Sequence, residues 1–173
     1  PMEMGDYIDF DPMCVALDLI AGIAEGVGAP CEAMLRASNL LDLLMHCLGY
    51  EHTDVQQSAF GVLGEVGKAC PGYIVGALGK ICPIALAAME RTSDRAGFAG
   101  GYTAEGEDAW GGSDDEGEDD MGDDVTNVCN NAIWSIGEIS VKCGPQAMAP
   151  FVGPLVLKGV LRWLSFFGEL CLL

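Results

Sequence analysis

A small residue followed by glutamate recurs three times in apolar, helix-patterned surroundings: Ala24-Glu25, Gly64-Glu65 and Gly137-Glu138. Glu25 and Glu65 stand 40 residues apart. Glu138 lies 73 beyond Glu65, a gap that also becomes 40 once the 33-residue glycine- and acid-rich stretch from Arg91 to Asp123 is set aside. A period of this length is a pair of helices. Such a pair cannot bury its apolar faces alone, so it stacks on its own copies. The 173 residues therefore count repeats rather than fill one globular core.

Repeats of about 40 to 47 residues are HEAT or armadillo units, whereas tetratricopeptide and ankyrin units, at about 33 to 34, are too short. The fold expected is all-α, an α-solenoid of antiparallel HEAT-repeat helix pairs with a disordered acidic insertion. Residues 1–10 read as an irregular acidic lead-in. Repeats occupy 11–90, the loop 91–123 and further repeat helices 124–157. Asp11-Pro12 supplies an N-cap acid and a proline at the first helical position, predicting a helix to about Val27 that Gly28-Ala29-Pro30 stops. A second pattern runs from Cys31 to Leu48, kinked near Ser38-Asn39. Thr53-Asp54-Val55-Gln56 fits a capping box and starts a helix near Asp54 that ends at Cys70. Another spans Tyr73 to Met89, bent at Pro83. Eight glycines and eleven acids between Arg91 and Asp123 leave too little apolar surface to offset ordering entropy, which predicts disorder there. The next helix runs to about Cys143, and Gly144-Pro145 separates it from a last one beginning near Gln146.

The net charge of −18, from 8 basic and 26 acidic residues, argues against nucleic acid, since phosphate contacts need basic surface, and favours basic partners. Half of it, −9, belongs to the 91–123 stretch. The eight cysteines are scattered through apolar helical segments without a C-x-x-C pair, which reads as buried, reduced thiols in the cytoplasm or nucleus. The apolar end from Phe151 is interrupted by Lys158, Arg162 and Glu169, a poor membrane span. The chain begins at Pro1 and ends on Leu170-Cys171-Leu172-Leu173, so a piece of a longer protein is expected.

No enzyme chemistry assembles from these residues. His46 and His52 are the only histidines, and neither stands with a nucleophile or a metal-ligand spacing; His46-Cys47 is at most half a metal site. Gly76-Ala77-Leu78-Gly79-Lys80 falls short of a phosphate loop, because Ile74 and Ile81 occupy the positions that require glycine and a hydroxyl. No catalytic residue, metal or cofactor is expected.

The strongest candidate for a site is a stripe on the second helix of each pair. On a helical wheel Asn127, Asn130, Asn131, Trp134 and Glu138 fall within about 100° of one another. Their equivalents are Asp54, Gln57, Ser58, Gly61 and Glu65 in the preceding helix, and Asp18, Ala21 and Glu25 match the last three in the first. Stacked, these helices would make a polar, acidic wall. Trp134 is the one large residue where the equivalents, Ala21 and Gly61, are small, which marks it as a binding anchor.

The segment Val128-Cys129-Asn130-Asn131-Ala132-Ile133-Trp134-Ser135-Ile136-Gly137-Glu138-Ile139-Ser140 resembles the importin-β superfamily of HEAT-repeat nuclear import receptors. The likeness extends, in order, through Val15-Ala16-Leu17-Asp18-Leu19-Ile20-Ala21-Gly22-Ile23-Ala24-Glu25-Gly26, Arg36-Ala37-Ser38-Asn39-Leu40-Leu41 and Gln57-Ser58-Ala59-Phe60-Gly61-Val62-Leu63-Gly64. It covers about Asp11 to Leu157. The resemblance implies that the second helices line a concave face that takes basic nuclear localisation signals of the proline-tyrosine class. It further implies release by Ran-GTP in the full-length protein, nucleoporins as additional partners, and shuttling between cytoplasm and nucleus.

Carried over by position, Asp18 and Glu25 look like acids for the signal's basic residues, and Glu65 stands where the family has aspartate. Asn130 and Trp134 match contacts to the more N-terminal part of the signal. With the neighbouring stripe residues Asn131 and Glu138, these form the expected cargo site. Three features depart from the family. Thr126 replaces a larger aliphatic residue beside the tryptophan. The 91–123 insertion is not the family's acidic loop, which couples Ran-GTP to release from a repeat further upstream. Residues 158–173, with Trp163, Phe166 and Phe167, are a divergent apolar tail. A HEAT scaffold or assembly subunit without import activity is the alternative reading.

Overall fold

The computed structural model describes residues 9–96 and 120–161, with side-chain surroundings for 9–91 and 127–161. The lead-in, the centre of the 91–123 insertion, the side chain of Thr126 and the tail beyond Leu161 lie outside the described residues. Every regular element among those described is helical.

Helix α1 (Asp11–Val27) opens with Pro12, whose fixed φ suits the first turn. Asp11 is not its N-cap, contrary to the sequence expectation. Phe10 holds that position without a side-chain bond, and the Asp11 N–H donates instead to Asp9 Oδ1 at 3.0 Å. Gly28 ends the helix at φ +68°, a left-handed conformation open to glycine, with its N–H on the Ala24 carbonyl at 2.9 Å. A 3₁₀ turn (Ala29–Cys31) leads into α2 (Glu32–Ala37) and α3 (Leu40–Leu48), and the break between these two falls at Ser38-Asn39. There the Ser38 hydroxyl bonds the Leu35 carbonyl at 2.8 Å.

Helix α4 (Thr53–Ala69) starts one residue before the expected position, and its capping box does not form: His52 is the N-cap, with no side-chain cap bond. Gln56 instead buries its amide and donates to the carbonyls of Leu48 and Tyr50, satisfying the last turn of α3 and the loop after it. Beyond Cys70 come α5 (Pro71–Ile74), a 3₁₀ turn (Val75–Ala77) and α6 (Leu78–Ala96). The single helix expected from Tyr73 is thus divided at Val75–Ala77, and Pro83 sits within α6, as expected. Helix α7 (Asp120–Pro154) follows the insertion, so regular structure covers 91–96 and 120–123 at its two ends. Gly144 (φ +80°, ψ 171°) breaks α7 into limbs 120–143 and 145–154, and a π-helical turn (Leu155–Val160) closes the described chain.

The helices form two layers. In one, α4 packs between α1 and the first limb of α7; in the other, α2–α3 and α5–α6 lie side by side, with the second limb and π turn against α6. Phe60, Leu63, Val66, Ile74, Ile81, Met89 and Ile139 form the centre of the core between the layers. By length and composition the stretch Pro71–Arg91 could span a membrane, yet half of it is buried here, as a core helix would be. The open ends of the stack expose Val15, Leu19 and Val27 on α1, and Val152, Leu157 and Leu161 beyond Gly144. These are the faces on which a solenoid adds its next helices.

Candidate functional site

The wall is the face of the α1–α4–α7 layer turned away from the second layer. Apolar residues at helical spacing, Leu17 and Ala24 in α1, Val55, Ala59 and Val66 in α4, Ala132 and Ile139 in α7, turn inward and leave the opposite stripe outside. Every residue expected on that stripe retains access to solvent: Asp18, Glu25, Asn130 and Trp134 are exposed, and Glu65, Asn131 and Glu138 are half-buried.

Trp134 is both packed and open. Its side chain remains 38% exposed. Its indole lies so closely over α4 that a Cβ built on Gly64 would collide with Cζ3, Cη2 and Cε3. One step along, Gly67 receives Ile139 Cγ1 in the same way. The glycine of the Gly-Glu pair at 64–65 is thus a seat for the neighbouring helix. Sequence reasoning paired Trp134 with Gly61, its own equivalent, and missed Gly64 because the seat belongs to a different register. Gly61 has no atom within 4 Å of a built Cβ.

Lys68 is the second feature sequence reasoning missed. Its ammonium stands 3.0 Å from both oxygens of Glu65, a side chain 15% exposed, and 5.7 Å from the centroid of the Trp134 ring. The hydrogen bond goes to Oε1, and Oε2 is buried with no hydrogen bond. Lys68 has its pKa raised above the usual lysine value, first by the bond to Glu65. Partial removal from water opposes this, and the charges of Glu65, Glu138 and Glu25 add to it. The three glutamates that measure the repeat, one from each helix of the layer, therefore act on a single cation. The available signal was Lys68 itself, one turn beyond Glu65 on the same helix.

Further along the layer, Cys14 of α1 feels the charges of Asp54 and Asp18 and a hydrogen bond from Ser58, which brings the N-terminal parts of α1 and α4 together. Burial is the main cause of its raised thiol pKa. In the other layer, Arg36, Asp42, Tyr73 and Lys80 line a cleft of about 350 Å³ between α2–α3 and α5–α6. Both of its cations are already paired: Arg36 with Glu32 and over the Tyr73 ring at 5.8 Å, Lys80 with Asp42 at 3.8 Å. His46 stacks edge-on with Tyr50. Among the described residues no group of three His, Cys, Asp or Glu side chains is placed to hold a metal ion.

The two layers and their 40-residue register define an α-solenoid piece of HEAT type with an aromatic residue set in an acidic face. No protein-family model matches the chain. It is 32% identical over 155 residues to Transportin-1 of Mus musculus, an alignment covering 90% of this chain and 14% of that protein. It is also 32% identical over 149 residues to Transportin-1 of Homo sapiens, covering 86% and 13%. Against Transportin-1 of Oryza sativa subsp. japonica it is 28% identical over 160 residues, covering 92% and 14%. The chain belongs to the transportin family, and it spans about one seventh of the length of these relatives.

Proposed function

We propose that this segment is the signal-binding part of a nuclear import receptor, and that its acidic wall takes extended, basic peptides of the proline-tyrosine class. Trp134 is the anchor. Asp18, Glu25, Glu65 and Glu138 supply the charge that meets the peptide's basic residues, and Asn130 and Asn131 offer hydrogen bonds to its backbone. The segment works by recognition; in the full-length receptor, release falls to Ran-GTP, and nucleoporins and passage between cytoplasm and nucleus complete the cycle. The observation that carries this reading is a large aromatic ring 38% exposed on a face where acids from three helices converge. A cationic or apolar peptide side chain that covers the exposed part of the ring gains cation–π or apolar contact there.

The test is binding of a basic proline-tyrosine peptide to the chain and to Trp134→Ala, with folding of both checked by circular dichroism. The expected loss is about 2 kcal/mol, the size of an anchor truncation. Affinity for the unsubstituted chain should also fall as salt rises through the range in which the screening length shrinks to about 8 Å. An unchanged dissociation constant removes Trp134 from the site, and salt-independent binding removes the acids. A cargo pull-down with and without Ran-GTP on the longer receptor separates import from a scaffold role, because only an import receptor releases its cargo.

A further inference from the structure

The acidic wall already contains a cation. Lys68 Nζ occupies the position between the Glu65 carboxylate, 3.0 Å away, and the Trp134 ring, 5.7 Å from its centroid, that a ligand's basic side chain would take. Its side chain is 34% exposed, so it can swing into water without disturbing the core. Glu65 is less free: its side chain is 15% exposed and Oε2 is buried without a hydrogen bond.

We infer that Lys68 is a built-in competitor that sets the affinity threshold of the wall, shielding Glu65 and Trp134 until a basic segment, best an arginine-bearing one, displaces it. The inference rests on the proposed peptide-binding role. The chemistry distinguishes the two cations. An ammonium donates from one point, and in this geometry it leaves one carboxylate oxygen with charge attraction alone. A guanidinium donates through a planar fork that satisfies both oxygens of one carboxylate while its face lies on an indole. Exchanging Lys68 for a ligand lysine reproduces the interactions that were lost. Exchanging it for a ligand arginine adds a hydrogen bond to Oε2 and keeps the aromatic contact. The wall should therefore prefer arginine, and Lys68 should lower the affinity for either cation alike, because displacing it offsets what a ligand's charge gains at the carboxylate.

The experiment measures two basic proline-tyrosine peptides, identical except for arginine or lysine at the basic positions, against the chain and Lys68→Met by calorimetry. The expected result is a several-fold preference for the arginine peptide in the unsubstituted chain. In Lys68→Met both peptides bind about three- to tenfold more tightly, and the arginine preference is kept. Lys68→Gln, which still donates to Glu65 but carries no charge, gives the same direction if loss of the ion pair compromises folding of the methionine variant. Equal binding of the two peptides by the unsubstituted chain, or unchanged or weaker binding by both variants, overturns the role of Lys68. Absence of binding by the unsubstituted chain and by Lys68→Gln overturns the peptide-binding role itself and the inference with it.

Discussion

Gly64 offers the sharpest test of how the wall is built. A Cβ at this position would meet three indole carbons of Trp134, none of them the free end of a flexible chain, and all within about the distance that real Cβ atoms do not reach. Gly64→Ala therefore forces one of two responses. If the helices hold their places, the added methyl overpacks the α4–α7 contact at a cost of about 1–3 kcal/mol. Replacing a mid-helix glycine by alanine recovers about 0.5–1 kcal/mol of backbone entropy, which leaves a net loss of up to about 2.5 kcal/mol. If the indole swings out instead, the stability loss is smaller and Trp134 becomes solvent-exposed. Gly61→Ala is the control, since it lies on the same helix with nothing within 4 Å of its built Cβ. It should stabilise by about 0.5–1 kcal/mol. Urea denaturation followed by circular dichroism reads the first response. Fluorescence in a Trp110→Phe, Trp163→Phe background, where Trp134 is the sole indole, reads the second. If both alanines stabilise alike and the Trp134 emission does not move, the seat does not exist and the account of the wall fails.

Two further expectations concern the scaffold. Gln56→Leu strips the hydrogen bonds from the Leu48 and Tyr50 carbonyls while keeping side-chain volume; it should cost about 1–3 kcal/mol in the same denaturation assay. Burial, then the bond and charge of Cys31 with sulfurs 3.5 Å apart, push the Cys70 thiol from 9.0 up to about 12, and burial pushes Cys82 up to about 11. The unfolded chain releases these protons first, so stability should be flat below pH 9 and fall above it, by up to about 1.4 kcal/mol per pH unit for each thiol. Denaturation midpoints between pH 8 and 11 check this, and Cys82→Ala should flatten the decline.

The repeat, the helix order and the wall were legible because each rests on periodicity, and periodicity survives small local errors. Ser38-Asn39 and Gly144 were readable as breaks from residue type, a serine-asparagine pair and a glycine followed by proline. What stayed hidden depended on contacts between helices. Gln56 sits at the capping-box position, yet the loop from Leu48 to Tyr50 presents two carbonyls that compete for its amide more strongly than the backbone at the N-cap. Gly64 looked like half of a repeat marker, and only the offset between α4 and α7 shows that Trp134 lands on it and not on Gly61. Lys68 carried only the weak signal of a lysine three residues after a glutamate, and its position over the Trp134 ring depends on α7. Pro71–Arg91, apolar enough to suggest a membrane span, is distinguished from one by the helix that covers it.

At 64–65 the same offset explains why the small residue and the glutamate belong together, whereas Gly137 seats no neighbour. Helices packed face to face usually lie about 8–10 Å apart, the spacing set by the side chains at the contact. Gly64 and Gly67 admit Trp134 and Ile139 to the surface of α4, which seats α7 close against it. Exposed charges lose most of their influence beyond a screening length of about 8 Å at physiological ionic strength. For Glu138 on α7 and Glu25 on α1 to hold the proton on Lys68 of α4, the three helices must therefore be closely seated. A bulky residue at 64 or 67 would part α4 from α7 and take Glu138 away from Lys68, leaving the α1–α4 pair of Glu25 and Glu65 and splitting the α7 stripe from the acidic face. The glycine sets the distance at which the glutamates act as a group, and the 40-residue register is what keeps them in line.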